Sequence, residues 1–471
     1  MIRTALLTVL LGARIAPGQV PPDEEIRKIL AERIDTYHQS VGIVVGVIEP
    51  QGRRIVSYGA LAKGDTRPLD GDTLYEIGSI TKVFTSLLLA GMVERGEVAL
   101  TDPVAKYLPD GVKVPERGGK QITLVDLSTH TSGLPRMPDN FKPKDQGNPY
   151  VDYSVENLYE FLSGYKLKRG IGERFEYSNL GVALLGQVLA RRDGMDYEAF
   201  VQARILGPLA MTSTGISLTP EMRARLAVGH GYFYKVEPVS NWDLGTFAGA
   251  GALRSTAKDM LTFLAANLGY TDTPMASSMA AMLKVRRRIA DLGPFGFLAH
   301  ERIALGWIVA PRNGTEIIFH NGGTGGYRSF IGYDAKARVG VVVLSNSGSG
   351  EGMDDIGFHL LNPKSPLLRG VKLRVLKDRP EITIDPKLLD AYVGRYLFPD
   401  KDIWTFRREG NCIVMSHLTE ADAELCPENE RSFFFKVADA QVAFEVDRQG
   451  RATGLVVHSA GAKDQRAKRL P

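Results

Sequence analysis

Cysteine is almost absent: the 471-residue chain holds two, Cys412 and Cys426, with three tryptophans. Two cysteines cannot build a disulfide framework. They form either one bridge in an oxidising compartment or a pair of buried thiols, and the sequence leaves both open. The eight histidines are scattered singly and no H-E-x-x-H pattern occurs, so metal catalysis is disfavoured and no metal or other cofactor is expected. A surplus of one charge is also lacking, since 58 Lys and Arg against 54 Asp and Glu leave +4. No basic run is long enough to track a phosphate backbone, and KDQRAKR near the C-terminus reads as a solvated tail, so nucleic acid is not an expected partner. Nor does any apolar run reach the ~20 residues that span a bilayer. The stretch from Ala5 to Leu11, after Arg3, is signal-peptide-like, which predicts residues 1–20 as an export leader processed between Ala13 and Gln19, and a periplasmic or secreted protein.

What is present is ample core. With 44% hydrophobic residues and a length beyond the ~250–300 residues at which single cores stop growing, two or three units are expected. Asp23 to Gln39 places Ile26, Ile29, Leu30, Ile34 and Tyr37 at helical spacing. VGIVVGVIEPQGRRIVSYGA then reads as a hairpin turning at Pro50-Gln51-Gly52. Thr73 to Gly269 is mainly helical, with helices predicted near Thr81 to Arg95, Val125 to Thr129, Ser154 to Leu162, Leu180 to Arg191 and Ala257 to Asn267. The intervening Arg136 to Pro149, rich in Pro, Asp, Asn and Lys, reads as a surface loop. Strands return in TEIIFH, YRSFIGYDAK and VGVVVLSNS. Strands at both ends with helices between predict one sheet closed by the two ends of the domain. The expected organisation is a leader (1–20), a main domain (21–362), a Pro- and Lys-rich linker (363–384) and a small all-β domain (385–471) whose short strands alternate with turns.

Three short motifs carry the chemistry. S-x-x-K occurs three times, at Ser79/Lys82, Ser163/Lys166 and Ser255/Lys258. Ser163 is followed by Gly164 at a helix end, and Ser255 is expected to cap the helix it precedes. Only Ser79, after Gly78, opens a long apolar helix. There its hydroxyl shares a face with Lys82, and its backbone N–H is one of the unpaired donors of the first turn. A partly buried lysine at that positive helix end should have a lowered pKa, fit to accept or relay a proton. The second motif, FEYSNLG, supplies Tyr177 and Asn179; a phenol needs neighbouring cations to act as a base, and an asparagine offers a donor and an acceptor to Lys82 and to a substrate amide. The third, IIFHNGGTGGYRSF, is a strand running into His320, Asn321, Gly322, Gly323 and Thr324, where small residues let a ligand approach the backbone.

In this order the motifs resemble the class C β-lactamase family and its relatives, the penicillin-recognising serine DD-peptidases and esterases. YEIGSITK differs from that family's nucleophile segment only at Tyr75 and Thr81; LSTHTSGLP from Leu127, FEYSN from Phe175, AGAGALRSTAKDM from Ala248 and HNGGTGG from His320 are also similar. The resemblance covers about Asp23 to Leu361. It implies an α/β fold, an antiparallel sheet flanked by helices plus a helical subdomain (β-lactamase/transpeptidase-like), followed by a small C-terminal barrel similar to a lipocalin-like extension. It further implies Ser79 as acylated nucleophile, Lys82 as its proton partner, Tyr177 as the base that also activates the deacylating water, Asn179 as an orienting residue, and the N–H groups of Ser79 and Gly323 as the oxyanion hole. Residues 320–324 would bind substrate. The expected activity is hydrolysis of β-lactams or D-Ala-D-Ala-type peptides through an acyl-enzyme. An esterase of the same fold, or a penicillin-binding sensor that does not turn over, are the alternatives; the G-x-S-x-G elbow of other esterases is absent. One departure stands out: where β-lactamases usually carry a lysine, this chain has His320, which holds a positive charge near neutrality only if its pKa is raised.

Overall fold

The computed structural model describes residues 20–231, 237–289, 301–312, 314–348, 353–367, 382–399, 403–410, 412–416, 423–435, 440–459 and 464–470. The predicted leader up to residue 19 and the centre of the predicted linker, residues 368–381, lie outside the described residues. The chain forms two compact units, one comprising Met1–His230 and Glu237–Gly370, the other beginning at Val371.

The first unit starts with α1 (Asp23–Ala31), which buries Ile26, Ile29 and Leu30 along one face, as their spacing predicts. The helix was expected to reach Gln39 in regular form; instead residues 32–36 make a widened turn that brings Arg33, 3% exposed, into an ion pair with buried Asp355. β1 (Gly42–Glu49) and β2 (Gly52–Gly59) form the predicted hairpin, paired from Gly42↔Gly59 to Glu49↔Gly52. After β3 (Leu74–Glu76) comes the helical region: α2 (Thr81–Glu94), the small hairpin of β4 (Glu116–Arg117) and β5 (Lys120–Gln121), then α3 (Leu124–Ser128), α4 (Val155–Gly164), α5 (Asn179–Asp193), α6 (Tyr197–Val201), α7 (Pro220–Ala224) and α8 (Ala248–Gly251). β6 (Arg254–Thr256) pairs with β3 and leads into α9 (Ala257–Asn267) and α10 (Ala276–Met282). Ser255 does not cap α9. The cap is Thr256, whose hydroxyl accepts the Asp259 N–H, because Ser255 is still inside β6 with its own hydroxyl bonded to Thr214.

The chain then returns to the sheet through β7 (Arg287–Arg288), β8 (Arg302–Ile303), β9 (Ile308–Arg312), β10 (Thr315–Gly323), β11 (Arg328–Asp334) and β12 (Val339–Ser345). The order is β2-β1-β12-β11-β10-β9-β8-β7, and the two ends of the unit close it where β1 pairs with β12 from Ile43↔Ser345 to Ile48↔Gly340. Both faces are covered. Val44, Val342 and Leu344 point into a core shared with α2 and α9, while Ile43, Val45, Val47, Val341 and Val343 point into a second core with α1 and α11 (Asp354–Leu361). That two-sided burial explains why VGVVVLS is continuously apolar rather than alternating.

The second unit is α12 (Pro386–Tyr392) followed by β13 (Gly394–Leu397), β14 (Ile403–Glu409), β15 (Cys412–Ser416), β16 (Ala423–Pro427), β17 (Ser432–Phe435), β18 (Ala440–Val446), β19 (Ala452–Ser459) and β20 (Gln465–Arg469), closed into a barrel by β13 pairing with β20. Its core gathers Leu389 and Tyr392 from α12 with Tyr396, Phe406, Phe433 and Phe444, and Tyr392 stacks on Phe444 at 4.4 Å. Large side chains of this kind fill an eight-stranded interior. Cys412 and Cys426 lie on adjacent strands with their sulfurs 3.3 Å apart. No helix among the described residues is long and apolar enough to cross a membrane.

Candidate active site

A 3₁₀ turn, Gly78–Ile80, runs straight into α2 and carries Ser79. Gly78 has φ +49°, and a Cβ there would stand 2.7 Å from the Gly323 nitrogen, so only glycine lets this turn meet the strand. α2 is buried along most of its length, which draws Lys82 inside to 1% exposure. Its Nζ lies 2.9 Å from Ser79 Oγ and 2.6 Å from the Ala250 carbonyl oxygen. Burial, and then the positive charge of Arg136, hold the Lys82 pKa well below the usual lysine value. The amine donates to the serine hydroxyl oxygen and to the Ala250 carbonyl, and its lowered pKa favours the neutral form that could take the serine proton.

Tyr177 enters from the start of α5, fixed by the N-cap Ser178, which accepts the Gly181 N–H at 2.8 Å and donates to Pro135 at 2.6 Å. Three groups surround its ring. Lys82 Nζ is 4.9 Å from the centroid, the Arg136 guanidinium 5.3 Å, and the His130 ring stacks at 4.5 Å with an interplanar angle of 28°. Burial pushes the Tyr177 phenol up to about 12, with Ser79 and Arg136 pulling the other way. His130 accepts the Ser178 N–H on Nδ1 at 3.0 Å, and burial, then Lys82, His320 and Arg136, press its pKa well below the ordinary histidine value. It is therefore a neutral ring clamping the tyrosine. Asn179 lines the cleft but does not hold Lys82 as expected: Lys82 is already engaged by Ser79 and Ala250, and the Asn179 amide reaches only Met137 Sδ, at 3.9 Å.

The opposite wall is β10. Its pairing with β9 ends at Phe319↔Ile308, so His320 to Gly323 form an open strand edge. Thr324 N–H donates to Tyr327 across the β11 side, and alternation along an antiparallel ladder then turns the Gly323 N–H outward, toward Ser79. Gly322 is needed because a Cβ there would run into the Ile77 carbonyl. His320 is 1% exposed, and burial, then Lys82, drive its pKa down to about 3. The condition for a charged His320 is thus not met; it is a neutral side chain at neutral pH. Asn321 lies on the other strand face and donates to Asp354 on α11.

Between the two walls is a small cleft whose lining includes Ser79, Asn179, Gly323 and Thr324 with Tyr150, Trp242 and Phe247. Trp242 is anchored by a buried ion pair. Its N–H donates to Glu76 at 3.0 Å, Arg254 meets the same carboxylate at 3.2 Å, and Arg254 also donates to the Trp242 carbonyl. His130, Arg136, Tyr150 and Trp242 were not singled out as site residues from the sequence. His130 sits within LSTHTSGLP, but Arg136 and Tyr150 border a loop with no periodicity, and only the fold brings them to Tyr177 and Ser79.

Residues 26–362 match the family model described as Beta-lactamase. The chain belongs to that family. Residues 378–469 match a second model, described as a domain of unknown function (DUF3471). Among its relatives is the D-alanyl-D-alanine-carboxypeptidase/endopeptidase AmpH of Escherichia coli K12, 31% identical over 65% of this chain and 79% of that one. A penicillin-binding protein of Bacillus subtilis is 26% identical over 93% of this chain and 96% of its own length, and so spans both units. The crystal structure of a β-lactamase/D-alanine carboxypeptidase from Yersinia pestis, complexed with citrate, superposes with a TM-score of 0.63 at 27% identity, covering 72% of this chain and 97% of that one. This β-lactamase-family chain therefore has the β-lactamase/transpeptidase-like fold that its motifs imply.

Proposed function

We propose that this protein is an exported serine hydrolase that forms an acyl-enzyme at Ser79 and acts as a DD-peptidase, releasing the terminal residue of D-Ala-D-Ala-type peptides and reacting with β-lactams as slower acylating ligands. The observation that carries this reading is the contact between Ser79 Oγ and the desolvated amine of Lys82 at 2.9 Å, opposite the outward Gly323 N–H. Lys82, neutral in its buried setting, takes the serine proton as Oγ attacks the carbonyl carbon. The developing oxyanion is met by the N–H groups of Ser79 and Gly323, fixed in place before the reaction. Tyr177, a phenol with a pKa near 12 in the resting site, suits proton relay: it passes a proton to the leaving amine and takes one from the deacylating water, while Lys82 and Arg136 stabilise any negative charge on its oxygen. With His320 neutral, the fixed cation common in β-lactamases is absent from this position, which favours slow deacylation of β-lactams over rapid turnover.

Relatives support the substrate class: AmpH is named as a carboxypeptidase and endopeptidase on D-alanyl-D-alanine. A second reading, an esterase acting on uncharged esters, draws on the neutral His320 and the aromatic wall of Tyr150, Trp242 and Phe247. Incubation with an N-acyl-D-alanyl-D-alanine peptide and with a short p-nitrophenyl ester separates them. Release of D-alanine that is lost in Ser79→Ala is the expected result; ester cleavage with no D-alanine release would transfer the function to the esterase reading.

A further inference from the structure

Cys412 and Cys426 take no part in the chemistry at Ser79, and the sequence alone leaves them as either a bridge or a pair of thiols. The barrel favours one of the two. β15 and β16 pair antiparallel at Ile413↔Leu425, Val414↔Glu424 and Met415↔Ala423, so one step further along the same register Cys412 stands opposite Cys426. Ile413, Met415 and Leu425 belong to the barrel core, and alternation along each strand turns both cysteines to the other face, side by side. Directly opposed residues of an antiparallel pair have Cα atoms about 4.5–5.5 Å apart, inside the ~4.4–6.8 Å that a disulfide spans. The sulfurs already lie 3.3 Å apart. Closing them to the ~2.05 Å of an S–S bond is within reach of side-chain rotation. The chain has no third cysteine to compete for either partner. Nor do the two mark a metal site, since among the described residues no group of three metal-ligating side chains includes them. Their exposures differ: Cys426 is 0% exposed, whereas Cys412 is half-buried, so an oxidant meets Cys412 first.

We propose that Cys412 and Cys426 are a modification site, oxidised to one cross-strand disulfide that staples β15 to β16 at the end of the pair away from residues 417–422. The oxidant is a second disulfide, that of a thiol–disulfide oxidoreductase or of oxidised glutathione. The Cys412 thiolate attacks it and releases one thiolate, leaving a mixed disulfide; the Cys426 thiolate then attacks the Cys412 sulfur and releases the second. Two protons leave the cysteines, and their two electrons reduce the oxidant to two thiols. The inference concerns the second unit alone and is independent of the acyl-enzyme reading of Ser79.

The test takes the full chain, reduces it with dithiothreitol and equilibrates it with mixtures of reduced and oxidised glutathione. Each sample is quenched with acid, denatured and alkylated with iodoacetamide without further reductant. The expected product is about 2 Da lighter than the reduced protein, takes up no alkyl group, and persists in about a tenfold excess of reduced glutathione. Digestion after glutamate, which cuts at Glu420 and Glu424 between the two cysteines, should give two peptides joined until they are reduced. Cys426→Ser removes the resolving thiol and should accumulate one glutathione on Cys412. Amide hydrogen exchange across residues 412–427 should be about tenfold slower in the bridged protein than in the reduced one. Two alkyl groups on the wild type at every glutathione ratio, or two glutathione adducts in place of the bridge, would overturn the proposal. A bridge that forms and leaves exchange unchanged would overturn its role as a staple.

Discussion

Ser79 and Ser255 are set in nearly the same local sequence, each a serine three residues before a lysine at the mouth of a helix, and they differ in everything that makes a nucleophile. Lys82 is 1% exposed and touches its serine. Lys258 is exposed, paired with Asp72, and its serine partner Ser255 turns the other way to bond Thr214. The third copy, Ser163 and Lys166, is exposed at a helix end, where Ser163 accepts the Lys113 N–H. The difference lies in the packing of the helix that follows. α2 is buried along most of its length and must take its lysine inside, whereas α9 presents Lys258 to water. A desolvated amine without a carboxylate is poised to exchange a proton; a solvated, paired ammonium is not.

This contrast can be attacked at each of its supports. The largest effect is expected from the two lysines: Lys82→Met should cut kcat/KM by roughly 10²–10⁴-fold, and Lys258→Met should leave it within about two-fold, as surface ion pairs contribute little. Steady-state kinetics on one peptide substrate decides it, and comparable losses at both would dissolve the comparison. A smaller effect with a defined sign comes from Arg136. Its charge lowers the pKa of Lys82 and of Tyr177, and Lys82 must be neutral to take the serine proton. Arg136→Met therefore raises both pKa values, leaves less neutral Lys82 at pH 7, and moves the acidic limb of the kcat/KM profile to higher pH. The loss should be about 3–10-fold at pH 7, consistent with an exposed cation over an aromatic ring, and should shrink as the pH rises. A pH-independent loss would mean that Arg136 acts on folding or substrate contact instead. The smallest effect on activity is expected from Ser255→Ala: unchanged turnover, with about 1 kcal/mol lost in urea unfolding for the buried hydrogen bond to Thr214.

Much of the fold was readable because its signals are local and mutually consistent. The hairpin of β1 and β2 is announced by two β-branched runs around Pro50-Gln51-Gly52, and α9 was bounded correctly at Ala257 and Asn267. The cap of α9 was misplaced by one residue since Ser255 and Thr256 are equally good capping residues, and only the pairing of β6 with β3 assigns the position. At the site, the residues carried by turn-and-element motifs are the ones the fold brings together: Ser79 with Lys82, Tyr177 before α5, and the glycine strand. Residues that act by proximity carry no such motif. Arg136 and Trp242 belong to a loop and a buried ion-pair clamp, and their meeting with Tyr177 and Ser79 is a property of long-range packing. The role foreseen for Asn179 toward Lys82 failed for the same reason, as the Ala250 carbonyl that claims Lys82 comes from 168 residues away.

The central claim is that Ser79, alone among the three S-x-x-K serines, becomes covalently acylated. Intact-protein mass spectrometry after mixing with benzylpenicillin, followed over time and by peptide mapping, tests it directly on the wild type, Ser79→Ala and Ser255→Ala. One added penicillin mass on the wild type and on Ser255→Ala, mapped to the peptide containing Ser79, absent from Ser79→Ala and slow to disappear, is the predicted result. An adduct that persists in Ser79→Ala, or maps to another serine, would contradict the account.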